Sequence, residues 1–119
     1  MAAGEPRIGL HPEVAAEQKR FFAAIKDAGG QPDGVTEIGW DPPRLVVTAL
    51  RKLGSDATAA QLRDHIAHVD RFAGIDGFYD FAKTPQRGLN IDNTVVARWL
   101  PEEKRWTAVS KPGGIPLAP

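Results

Sequence analysis

The densest cluster of metal-capable side chains in this sequence is Asp64, His65, His68 and Asp70. His65 and His68 stand three apart, so one helix would bring them onto adjacent turns of the same face. The zinc-protease arrangement instead needs histidines four apart with a glutamate between them. The remaining histidine, His11, is distant in sequence, so these residues read as a solvated helix face and no metal is expected. The chain has no cysteine, which removes a thiolate nucleophile, a thiolate ligand and any disulfide framework. No Ser-His-Asp pattern, phosphate loop or spaced acidic pair stands out. The sequence therefore argues against an enzyme and calls for no cofactor.

The other stretch with chemical potential is VTEIGWDPPRLVVTALRKL, residues 35–53. Residues 35–39 are expected to be a short strand, with Thr36 offering a hydroxyl near its end. Asp41 is expected to cap the following helix, and Pro42 suits a first helical position. Leu45, Val46, Ala49, Leu50 and Leu53 recur at helical spacing as one apolar stripe, and Gly54 ends the helix. Ligands of α/β layers gather at the carboxyl ends of strands, so a small-molecule site would lie between Val35 and Asp41. The indole of Trp40 could stack on an apolar or aromatic ligand. The alternative, which the position before a helix favours, is that it packs beneath the helix entry.

The elements that would position these residues follow from periodicity. A helix is expected over 12–28, with Val14, Phe21, Ile25 and Ala28 on its inner side and Glu17, Lys19, Arg20 and Lys26 mostly off it. Gly29-Gly30 stops that helix, and Gln31-Pro32-Asp33-Gly34 is turn chemistry. Thr58 and Gln61 have the spacing of a capping box, opening a helix over about 58–69 with Leu62, Ile66 and Val69 inward. Beyond residue 70 the texture turns to β. Residues 78–81 alternate like a short strand, with Tyr79 expected opposite Phe78 and Phe81. Residues 94–100 and 106–109 form a hairpin closed by Pro101-Glu102-Glu103-Lys104-Arg105. Residues 1–10 read as a loose lead-in, and KPGGIPLAP from Lys111 as a mobile tail. The fold class is α/β: three helices with a short strand, then a C-terminal β-hairpin region.

Composition narrows the partners. Fifteen basic side chains balance fifteen acidic ones, so no net field draws the chain to nucleic acid or an anionic membrane. No apolar run approaches the ~20 residues of a membrane-spanning helix, and MAAGEPRIGL lacks the pattern of a secretory signal.

The ordered pieces resemble the C-terminal portion of type I periplasmic solute-binding proteins, in particular the branched-chain amino acid (leucine/isoleucine/valine)-binding family of ABC importers. RFFAAIKDAGGQPDG is similar to a helix and Gly-x-x-Pro-type connection of that family, and GWDPPRLVVTALRKLGS to its aromatic-Asp segment and long helix. TAAQLRDHIAHV resembles the next helix, FAGIDGFYDF a Gly-x-x-Gly-x-x-x-Phe signature, and the last two strands the closing hairpin. Pro42-Pro43 departs from the small residue usual after the aspartate, and the N-terminal two-thirds of the family has no counterpart. The resemblance implies a single partial domain over 1–119: 1–70 a section of a first lobe, 71–110 a crossover and strands of a second, 111–119 a tail.

It also implies ligand contacts at Trp40, Val35 and Thr36, a small amino acid-like or aromatic carboxylate solute, an ABC permease as partner of a complete protein, and a periplasmic or extracellular location. Open strand edges would favour a homo-oligomer formed by strand pairing or swapping. A stand-alone interaction module that keeps the pieces without the site is the alternative.

Overall fold

The structure, a computed structural model, describes residues 11–117. The lead-in over 1–10 and the last two residues of the tail lie outside the described residues. The fold mixes helix and strand: helices α1 (Pro12–Asp27), α2 (Gly34–Ile38), α3 (Asp41–Leu53) and α4 (Ala59–Ala67), then two small antiparallel sheets. The first sheet pairs β1 (Phe72–Ala73) with β2 (Phe78–Tyr79), and the second pairs β3 (Ala97–Leu100) with β4 (Arg105–Ala108). No helix among the described residues is long and apolar enough to cross a membrane.

Helix α1 begins with proline at its first position and ends before Gly29, whose φ of 73° is left-handed. Its buried side chains are Val14, Glu17, Gln18 and Phe21. Glu17 and Gln18 thus belong to the inner face, and the expectation that Glu17 lies off it is corrected. They stand three and four residues after Val14, and four and three before Phe21, which is where a helix repeats. Helix α4 opens as expected. The Thr58 hydroxyl accepts from Gln61 N at 3.3 Å, and Gln61 Oε1 accepts from Thr58 N at 2.8 Å.

Two features of the central stretch differ from expectation. Residues 35–39 are not a strand, because α2 occupies 34–38. Asp33 caps it, accepting from Val35 N at 3.1 Å and Thr36 N at 2.8 Å, while Thr36 Oγ1 accepts from Asp33 N at 2.9 Å. A reciprocal cap of this kind stabilises the first turn of a helix, and it outweighs the β-branched residues. Nor is Asp41 the cap of α3. Trp40 takes that position in helical conformation with no side-chain cap, and Asp41 is the first helical residue. The next two residues are prolines, which offer no N–H for a cap to accept. The Asp41 carboxylate is therefore free to turn inward.

The core is small. Its buried apolar side chains are Val14, Phe21, Ala49, Phe72 and Ile75, whereas Val46, Leu53, Trp99 and Trp106 are each about two-fifths exposed. Of the expected α3 stripe only Ala49 is buried. The hairpin forms as expected, but Arg105 joins β4 and Lys104 turns the chain at φ 50°. Residues 111–117, expected as a mobile tail, fold back instead. Gly113 N donates to Thr94 O at 2.9 Å, and Ser110 bridges Pro116.

Candidate functional site

The residues singled out by sequence do not converge. Val35 is 78% exposed on α2, and Thr36 spends its hydroxyl in the Asp33 cap. Trp40 is half-buried and meets Phe21 edge to face, with ring centroids 5.4 Å apart. Trp40 thus packs against α1 beside the entry of α3. The His65–His68 face holds no metal-ligand group among the described residues. His68 Nδ1 lies 2.7 Å from Asp64 O, within α4's own last turn.

What the fold does bring together is a polar clamp around Ile75, in the four-residue turn between β1 and β2. The Ile75 side chain is fully buried. Its N–H donates to Asp41 Oδ2 at 2.9 Å, and its carbonyl accepts from Gln18 Nε2 at 2.8 Å. Arg44 ties the clamp to α1. Its guanidinium lies 2.8 Å from Glu17 Oε2 and 3.4 Å from Asp41 Oδ1, and it donates to Ala73 O at 3.4 Å. Arg20 closes the set 2.6 Å from Glu17 Oε1. Two carboxylates thus share cations in a partly dry setting, where each pair must offset its own desolvation. Burial pushes the Asp41 carboxyl above its ordinary range, opposed by the Ile75 N–H, the Tyr79 hydroxyl and Arg44.

Two hollows flank this clamp. The larger, about 440 Å³, lies where the start of α1, the crossover 70–80 and the segment 90–95 meet. Two ion pairs involve its charged wall residues. Arg71 lies 2.9 Å from Glu13 and 3.8 Å above the Phe78 ring, and Lys83 lies 3.2 Å from Asp80. Hydrogen bonds from the backbone N–H groups of Lys83 and Ala82 and the Lys83 ammonium hold the Asp80 carboxyl below its ordinary range. Gly77, at φ 141°, lets Asn93 approach this wall, since a Cβ there would collide with its amide.

The smaller hollow, about 130 Å³, is lined by Asp41, Pro42, Leu45, Phe72, Tyr79 and Phe81. Tyr79 and Phe81 stack with centroids 5.9 Å apart, while Phe78 meets His11 instead. Tyr79 therefore shares a side with Phe81, as residues two apart on an extended chain must, and the expected separation of the two is corrected.

Sequence reasoning missed Gln18, Glu17 and Arg44 as tethers. The signal for the first two was their position inside the Val14–Phe21 period; for Arg44 the spacing shows only the i,i+3 pair with Asp41, because its other partners come from α1 and β1. Comparison with protein-family models, curated proteins and solved structures finds no match for this chain.

Proposed function

We propose that this chain is the non-catalytic ligand-binding section of a solute-binding protein serving an ABC importer. On this reading it resembles the C-terminal portion of the branched-chain amino acid-binding family and takes a small amino acid-like or aromatic carboxylate solute. The observation that carries the proposal is the 440 Å³ hollow, whose walls come from α1, the crossover and the C-terminal segment together. A hollow at the junction of two chain sections suits a ligand gripped between lobes, where binding biases an open–closed equilibrium. On its wall Arg71 pairs with Glu13 and Lys83 with Asp80, and either cation could swing to meet the carboxylate of a solute. The half-covered α3 stripe and two separate two-stranded ladders leave surfaces for the remainder of such a protein to cover. By the same resemblance the location is periplasmic or extracellular.

The exposed cross-strand pair Trp99–Trp106 favours the second reading, an interaction module that completes its layers with another chain.

Titration calorimetry with leucine and benzoate, beside light scattering over a range of concentrations, tests the proposal on this chain alone. With one wall of a cleft, most of a small ligand stays wet. The expected result is no micromolar binding of either solute and concentration-dependent association through open edges. A compact monomer that binds either solute at micromolar concentration overturns the partial-site reading.

A further inference from the structure

The smaller hollow has an unusual combination of walls. Three aromatic rings, Phe72, Tyr79 and Phe81, stand around one carboxyl, that of Asp41, with Pro42 and Leu45 completing the enclosure. Phe72 and Tyr79 are cross-strand partners with centroids 6.1 Å apart, inclined by 60°, and Phe81 stacks on Tyr79 at 19°. The Phe72 ring already attracts a cation, since Arg44 Cζ lies 5.2 Å from its centroid. At 130 Å³ the hollow equals roughly four water molecules at ~30 Å³ each, so it admits a guest of about four or five heavy atoms.

The chemistry of that guest follows from charge and polarity. Water makes a poor occupant, because the walls are almost wholly apolar and an ordered water needs two to four polar partners. A carboxylate would lie close to the buried Asp41 carboxyl behind the wall, a like charge. A compact cation meets aromatic walls, and aromatic rings attract positive charge through their faces, with the buried Asp41 carboxyl just behind the wall. Asp41 accepts from Ile75 N–H and from Tyr79, with Arg44 at 3.4 Å, yet burial still dominates its surroundings. One more positive charge at this wall would favour its ionised form. We propose that the hollow between α3 and the β1–β2 ladder binds the alkylammonium head of a small free solute, of trimethylammonium size. The hollow is built by this chain alone, so the assignment is independent of the solute-binding reading of the larger one.

Choline is the probe, with its neutral isostere 3,3-dimethylbutan-1-ol as control, titrated into the 119-residue chain. The chain has a single tyrosine, so the ring signals of Tyr79 in proton NMR report on this hollow without overlap from another tyrosine. Choline is expected to shift them saturably, with the neutral isostere about tenfold weaker or worse. Asp41→Asn should weaken choline binding by about tenfold. Leu45→Phe enlarges a lining side chain and should abolish binding while the circular dichroism spectrum is kept, which separates loss of the site from loss of the fold. Equal binding of the isostere, no saturable shift with choline, or undiminished binding in Leu45→Phe each overturns the proposal. Tighter binding to phosphatidylcholine vesicles than to free choline overturns the assignment to a free solute. Leucine or benzoate binding in the larger hollow leaves these outcomes unchanged.

Discussion

Two antiparallel ladders stand at either end of the C-terminal half, and the shorter is the better held. The β1–β2 ladder has two residue pairs, and the β3–β4 hairpin has four. Yet Phe72, Gly74, Ile75 and Gly77 are buried, whereas Ala97, Arg98, Trp99, Arg105 and Trp106 are exposed. The first ladder is clamped by Asp41 and Gln18 on the Ile75 backbone and by Arg44 on Ala73. Beyond the ladder the hairpin's two arms are tied to each other, Val109 N donating to Val96 O and Val96 N to the Ser110 hydroxyl, both at 2.8 Å. Two strands alone are marginal in water. What fixes a ladder is the layer packed on its face, and here only the crossover has one.

The comparison can be broken most strongly at Ile75. Ile75→Ala empties a fully buried position and should cost roughly 2–5 kcal/mol in urea unfolding. A cost below about 1 kcal/mol would mean that the clamp, not the packed side chain, holds the crossover.

Gly74→Ala comes next. A Cβ at Gly74 would fall inside contact distance of Asp41 Oδ2 and the Tyr79 ring, both themselves held in place. The expected loss is about 1–3 kcal/mol, the usual range for overpacking, read as a lower denaturant midpoint with unchanged slope. An unshifted midpoint would show that Asp41 can move aside.

A subtler effect has a distinctive sign. The Asp41 carboxyl is raised from 3.8 by burial first, so the folded chain holds this proton more tightly than the unfolded one. Its contribution to stability is then fully present below about 3.8 and is lost as pH rises through the folded value. Wild type should accordingly gain on Asp41→Asn as pH falls from neutral toward 4, in paired urea titrations. Asp33 and Asp80 are lowered, chiefly by backbone hydrogen bonds from Thr36 and Lys83 respectively. Their contribution runs the other way, present above 3.8 and lost in acid. A wild-type advantage that grows with rising pH would show that Arg44 outweighs burial at Asp41.

The smallest effect is expected at the hairpin. Trp99 and Trp106 face each other with centroids 5.5 Å apart, each about two-fifths exposed. Trp99→Ala should cost about 0.2–1 kcal/mol, the range for a cross-strand pair. A larger loss in the isolated chain, growing with protein concentration, would mean that the pair is covered by a second molecule.

From sequence alone, period and punctuation determined α1, α4 and the hairpin, because each is specified by neighbours a few residues away. Thr58 and Gln61 carry their cap in their spacing, and Gly29 stops α1 through its own backbone freedom. The strand expected over 35–39 failed for a local reason as well. Asp33 and Thr36 form a reciprocal cap that was legible, but β-branched Val35, Thr36 and Ile38 drew the reading toward β. The clamp was different in kind. Asp41, Arg44, Gln18 and Ile75 are up to 57 residues apart in their pairings, and no spacing rule reaches that far. Only the tertiary structure decided that Asp41 turns inward, that Trp40 packs on Phe21, and that two hollows open beside the crossover. Burial and charge pairing at such positions depend on which surfaces meet, and that is set when α1, α3 and the β1–β2 turn close on one another.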